Sequence, residues 1–138
     1  MTTRRPLADA PVPIRLKLSA LWTATMFCYV YGDFFSLFKP GRLAAMQAGQ
    51  TGVGATSQGM LLAFAALMAL PSLMIILTLV LRASLSRWLN VGVGTFFTLV
   101  MLAIIPGTWA FYLFLGLLEA ALTATIVVTA WRWPREGA

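Results

Sequence analysis

Four long runs of this sequence carry almost no charge, and that limits the available folds more than any other feature. A helix that crosses a bilayer needs about 20 mostly apolar residues, since the hydrocarbon core is about 30 Å thick and each residue rises about 1.5 Å. Residues 18–38, 57–81, 88–105 and 108–131 qualify. Composition agrees: 60% of the chain is hydrophobic and 10% is charged, against about 25% charged in a soluble domain. So apolar a chain of 138 residues cannot hide its surface in one small core. The expected fold class is all-α: a four-helix transmembrane bundle, antiparallel and up-down-up-down. Residues 18–131 form one membrane domain, between an N-terminal tail (1–17) and a C-terminal tail (132–138).

The basic residues set the expected orientation. Arg4, Arg5, Arg15 and Lys17 precede the first run, Arg82 and Arg87 lie between the second and third, and Arg132 and Arg135 follow the fourth. Lys39 and Arg42 occupy the first connection. Placing both termini in the cytoplasm puts the larger group inside, as the positive-inside rule requires. This distribution also argues against nucleic acid as a partner, despite the net charge of +6, because the charge is not gathered on a soluble face. Trp88, Trp109, Trp131 and Trp133 fall at run ends, where indoles favour the headgroup layer. Arg4-Arg5 resembles a twin-arginine signal, but no folded exported domain follows, so an uncleaved anchor is expected.

The connections differ in kind. Pro106-Gly107 predicts a tight turn. The 82–87 loop is short. The first connection is the longest; Lys39-Pro40-Gly41 stops the first helix, Leu43 to Ala48 predicts one helical turn, and Gly49, Gly52 and Gly54 predict a flexible return. Pro71 interrupts the second run, where its missing amide donor predicts a bend. The lone Cys28 permits no intramolecular disulfide and reads as a packed thiol.

Two acids lie inside the runs. A charge at the bilayer centre costs roughly 2.5–3.5 kcal/mol on insertion scales, so each acid needs a reason. Glu119 sits near the middle of its run, on a stripe with Tyr112, Gly116 and Thr123. Gly116, Ala120 and Ala124 recur at four-residue steps beside it, and small residues at that spacing let another helix approach. Glu119 is therefore expected to face protein. Asp33 shares a face with Trp22, Thr25, Tyr29 and Ser36. By helical rise the two acids lie at similar depths, about 22 Å and about 18 Å above the inner ends of their runs, so they meet if the first and fourth helices pack together. Gln58 begins the second run near the same depth. Asp33, Glu119, Tyr29, Tyr112, Thr123 and Gln58 are thus the candidate binding residues. Asn90, Gly94 and Thr98 share a face that reads as helix packing. Two readings of the acids stay open: a hydrogen-bonded staple between helices, or a site for a proton, a cation or a small amine.

Other chemistry finds no support. The chain has no histidine, no metal-ligand cluster, no nucleophile–base pair and no nucleotide loop, so neither an enzyme nor a bound cofactor or metal is expected.

Several motifs recur together: Lys17-Leu18-Ser19-Ala20-Leu21-Trp22, Tyr31-Gly32-Asp33, Lys39-Pro40-Gly41, Gln58-Gly59, Pro71 with Met74-Ile75, Arg87-Trp88-Leu89-Asn90, Glu119, and Trp131-Arg132-Trp133-Pro134. Their order, from about residue 16 to 134, resembles a family of small four-span bacterial membrane proteins catalogued as a domain of unknown function. The resemblance implies a bacterial inner-membrane location and the four-span layout. It implies no activity. A looser likeness is to small multidrug transporters, whose membrane glutamate lies in the first span rather than the fourth. The functional expectation is a small inner-membrane protein with an intramembrane acidic site and an unknown substrate. The alternatives are a proton-coupled transporter acting as a homodimer, and a scaffold subunit of a larger complex.

Overall fold

The computed structural model describes residues 10–134; Arg4, Arg5 and Arg135 of the basic tails lie outside them. Four main helices pack together: α1 (Ile14–Ser36), α3 (Gln58–Val80), α4 (Ala83–Ile104) and α5 (Ala110–Trp131). Between α1 and α3 lie a short helix α2 (Arg42–Gln47) and two short strands, β1 (Gln50–Thr51) and β2 (Gly54–Ala55).

Local chemistry explains the boundaries. α1 passes through a turn to Gly41, whose φ of 75° is left-handed backbone that glycine adopts without strain, and α2 starts there. The predicted flexible return is instead a hairpin: Gln50 pairs with Ala55 and Thr51 with Gly54, and the Thr51 hydroxyl donates to the Gly54 carbonyl at 2.8 Å. Ser57 caps α3 by accepting from the Met60 amide at 3.1 Å. α3 continues through Pro71, which is buried. α4 begins at Ala83 rather than Trp88, so Arg87 belongs to a helix and not to a loop. Gly107, with φ of 78°, makes the expected tight turn before α5.

Partner residues rise in one helix as they fall in the next, so neighbouring helices run antiparallel. Arg15 Nη1 donates to the Leu79 carbonyl at 2.8 Å and Ser19 Oγ to the Ile75 carbonyl at 2.9 Å, joining α1 to α3. Gly94 lies against Ile126 and Val127, and Gly116 against Ile105 and Met101, joining α4 to α5. α1 meets α5 where Gly32 faces Leu115, Tyr112 and Glu119. The chain closes into a bundle whose core includes Leu18, Trp22, Met74, Phe97 and Ile126. Phe97 centres it: Trp22 meets its ring edge-on at 6.4 Å and Tyr29 lies 5.9 Å away.

Three helices, α3, α4 and α5, are long and apolar enough to cross a membrane. They mark a multi-pass membrane protein. Their outward residues are large and apolar: Leu62, Ile76, Leu99 and Phe114 are all exposed. In water so much bare hydrocarbon would drive aggregation; in lipid it costs nothing. The sequence predicted a fourth such helix. α1 differs because Arg15, Lys17, Asp33 and its tyrosines dilute its apolar residues, although its length of 23 residues is sufficient.

Hydroxyls in the helices are mostly satisfied within their own turn. Thr23 donates to the Ser19 carbonyl, Thr25 to Leu21, Ser72 to Met68, Thr98 to Gly94 and Thr125 to Ala121, all at 2.7–2.9 Å. Such i−4 bonds remove a polar demand that hydrocarbon cannot meet.

Candidate functional site

α1 and α5 meet at Gly32, the residue before Asp33, where Glu119 of α5 comes alongside. A Cβ on Gly32 would stand 3.8 Å from Leu115 Cδ1, 3.9 Å from Tyr112 Cε2 and 3.9 Å from Glu119 Oε1. With only hydrogen there, the Glu119 carboxyl lies alongside the α1 backbone, next to the residue before Asp33. The Asp33 and Glu119 carboxyls are within electrostatic reach of each other, and Tyr112 is within reach of both. Tyr29, one turn before Asp33 on α1, completes the group from below, within reach of Glu119 and Tyr112.

Burial divides the group into a floor and a rim. Glu119 is 4% exposed and Tyr29 7% exposed, whereas Asp33 is exposed and Tyr112 half-buried. The Tyr29 hydroxyl is buried without a hydrogen-bond partner. Nor does the Glu119 carboxyl accept a hydrogen bond among the described residues. A buried hydroxyl left unpaired costs about 1–3 kcal/mol, so the Tyr29 hydroxyl is donor capacity that the protein's own groups leave unused.

Two expected members sit elsewhere. Thr123 is fully buried, but its hydroxyl lies 2.7 Å from Thr98 Oγ1 and 2.9 Å from the Glu119 carbonyl. The two hydroxyls share one hydrogen bond, and each also lies within bonding distance of a carbonyl of its own helix, so Thr123 joins α5 to α4 and turns away from the acids. Gln58 is exposed at the start of α3, where Ser57 makes the cap. The small residues divide as well. Gly94, Gly116 and Ala120 are buried, and a Cβ at Gly94 would fall 2.9 Å from Val127 Cγ2. Ala124 is only half-buried and lines a groove of about 230 Å³ on the outside of α4 and α5.

The rim holds groups that the sequence presented only as topology signals. Arg42 lies within electrostatic reach of Asp33 and Tyr112, and its guanidinium covers Gly52 of the hairpin. The Lys39 ammonium stands 5.2 Å from the Tyr112 ring centre, 5.3 Å from Phe111 and 5.9 Å from Trp109. Beside it opens a cleft of about 380 Å³ lined by Phe35, Phe38, Lys39, Trp109 and Phe111. The signal was in plain view: Lys39 directly follows one aromatic cluster, and another opens α5.

A second polar cluster lies deeper, toward the chain termini. Trp22 Nε1 donates to Asn90 Oδ1 at 2.8 Å; Asn90 Nδ2 donates to the Ser86 carbonyl at 2.8 Å and to Thr78 Oγ1 at 3.1 Å. All four residues are completely buried. Here every partner is present, so this cluster holds α1, α3 and α4 together and offers nothing to a ligand. The sequence placed Trp22 on the Asp33 stripe; its indole is instead committed to Asn90.

Among the described residues no cluster of three or more histidine, cysteine or acidic side chains offers a metal site. A family model matches residues 14–138, spanning every helix and both acids. The chain belongs to the DUF6326 family. The family is one of unknown function, so membership assigns no substrate to the Glu119 group of this DUF6326 chain. No curated protein matches the chain, and no solved structure does.

Proposed function

We propose that this DUF6326 protein crosses a bacterial inner membrane four times, with α1 as the fourth span and both termini in the cytoplasm. Its function on this reading is to bind a proton or a cation at Glu119, assisted by Asp33, Tyr29 and Tyr112. One observation carries the binding claim: the buried Tyr29 hydroxyl has no protein partner and lies within electrostatic reach of the buried Glu119 carboxyl. A structural staple would use its hydrogen bonds, as Asn90 does. This group keeps donor and acceptor capacity free of protein partners, as binding sites do.

Support for four spans comes from length and packing. α1 has 23 residues, about 35 Å of helix, and packs along both α3 and α5. Arg15 and Lys17 sit at its start, and Arg82 and Arg132 sit at the same end of the bundle, as the positive-inside rule prefers. At that end Arg87 also bonds the Trp131 carbonyl at 3.1 Å and lies near the Trp88 and Trp131 rings.

The test is infrared difference spectroscopy of the full chain in bilayers, with Glu119→Gln as the band assignment. The expected result is a carboxylic C=O band that disappears in the variant and responds to pH or to added monovalent cations. A band indifferent to both, in protein that remains folded, leaves a staple and no site.

A further inference from the structure

The Lys39 ammonium occupies a place built for a cation. Three rings, those of Trp109, Phe111 and Tyr112, lie within 6 Å of it, and each ring face attracts positive charge through its quadrupole. Among the described residues no ion pair or hydrogen bond holds that ammonium, so the rings are its fixed company. Tyr112 links two groups: Lys39 lies over its ring, and its Cε2 edge approaches Gly32, beside Glu119 Oε1. The cage therefore adjoins the acid group through a single side chain. The cleft of about 380 Å³ opens past Lys39 and is otherwise aromatic, so it accepts an apolar tail next to a charged head.

We propose that Lys39 is a resident, displaceable occupant of this aromatic cage, and that the cage admits a protonated primary alkylamine in its place. The inference rests on the reading of Glu119 as a cation site and names the class of cation. The lysine side chain is itself an alkylammonium, so the structure already contains an image of the ligand. An incoming amine seats its charge over the Tyr112, Phe111 and Trp109 rings and its chain between Phe35 and Phe38. Lys39 swings toward the headgroups, which its flexible four-carbon stem permits. From the cage, the amine is one ring away from Glu119. Arg42 lies over Gly52 of the hairpin, and the cation–ring contacts of the cage are those of Lys39.

The probe is n-butylammonium, titrated against the full chain in discs of zwitterionic lipid and followed by ligand-observed NMR, with n-butanol as the uncharged control. Lys39→Gln should tighten binding about three- to tenfold, the size of a lost cation–π competitor. Phe111→Ala or Trp109→Ala in the Lys39→Gln background should cancel that gain. Arg42→Gln should give less, because Arg42 touches none of the three rings. Equal gains from Lys39→Gln and Arg42→Gln would reduce the effect to general repulsion and overturn the proposal. So would equal affinity for the wild type and Lys39→Gln, or no binding to either. The Glu119 infrared band, recorded on the same discs, separates the two ideas. A responsive band without amine competition ends the cage proposal and spares the acid site. A silent band ends the acid site whatever the amine does.

Discussion

The indole nitrogen of Trp22 donates to the side-chain oxygen of Asn90 at 2.8 Å, directly joining α1 to α4 through the centre of the bundle. Neither group has access to water, and both are 0% exposed. The bond therefore has no solvent competitor, and removing one partner strands the other.

Asn90→Ala is expected to destabilise the protein by about 1–3 kcal/mol for each group it leaves unpaired, chiefly Trp22 Nε1. Thermal unfolding in detergent reads the loss. The coupling is checked by a double-mutant cycle with Trp22→Phe, in which the second change should cost less once Asn90 is gone. Additive losses would mean that the pair does not interact.

Glycines on α4 give a paired test. Gly94→Val places atoms against Val127 Cγ2 and the Thr123 carbonyl and should cost about 1–3 kcal/mol. Gly92→Val has nothing within 4 Å and should cost no more than the surface variation of about 0.5 kcal/mol. Equal melting temperatures for the two variants would remove close packing of α4 on α5 as the reason for Gly94.

Tyr29→Phe deletes a hydroxyl with no partner. Stability is expected to hold or to rise by up to about 1–3 kcal/mol of relieved desolvation, read as an unchanged or higher melting temperature. The Glu119 carbonyl band should nonetheless shift, because its nearest buried phenol has gone. A melting temperature that drops while the band stays put would show that the hydroxyl serves stability and not the site.

The spans predict a sidedness. In a Cys28→Ser background, a single cysteine at Val53 and one at Ala10 should react with an impermeant maleimide from opposite faces of sealed vesicles. Labelling from the same face would remove α1 from the membrane.

Much of the bundle was legible because apolar runs of helix length announce themselves. Residues 57–81 and 108–131 needed only composition and spacing. The start of α4 was misjudged because Arg87 reads as a loop charge; its aliphatic stem and guanidinium are accommodated inside a helix by Trp88 and Trp131. The matching depths of Glu119 and the Gly32-Asp33 stretch of α1 were readable from position along each helix, since rise per residue is fixed. Thr123 was misassigned because helical spacing gives a face but not the neighbour across it: the same stripe meets α1 at Glu119 and α4 one turn later. The Trp22–Asn90 bond was beyond sequence reasoning for the same cause. It joins residues 68 positions apart on helices whose rotation no periodicity specifies.

The threonines and serines that bond their own helices bear on how the protein is made. A helix that satisfies its own hydroxyls brings no unmet polar demand with it when a translocon releases it sideways into lipid. Such helices can be delivered singly, in the order of synthesis, and find one another later. Asn90 is different: its side-chain oxygen enters the membrane before the Trp22 indole of α1 has settled against it, and must wait for that contact. The slow step of biogenesis should lie at Asn90, in the docking of α1 rather than in the insertion of any segment.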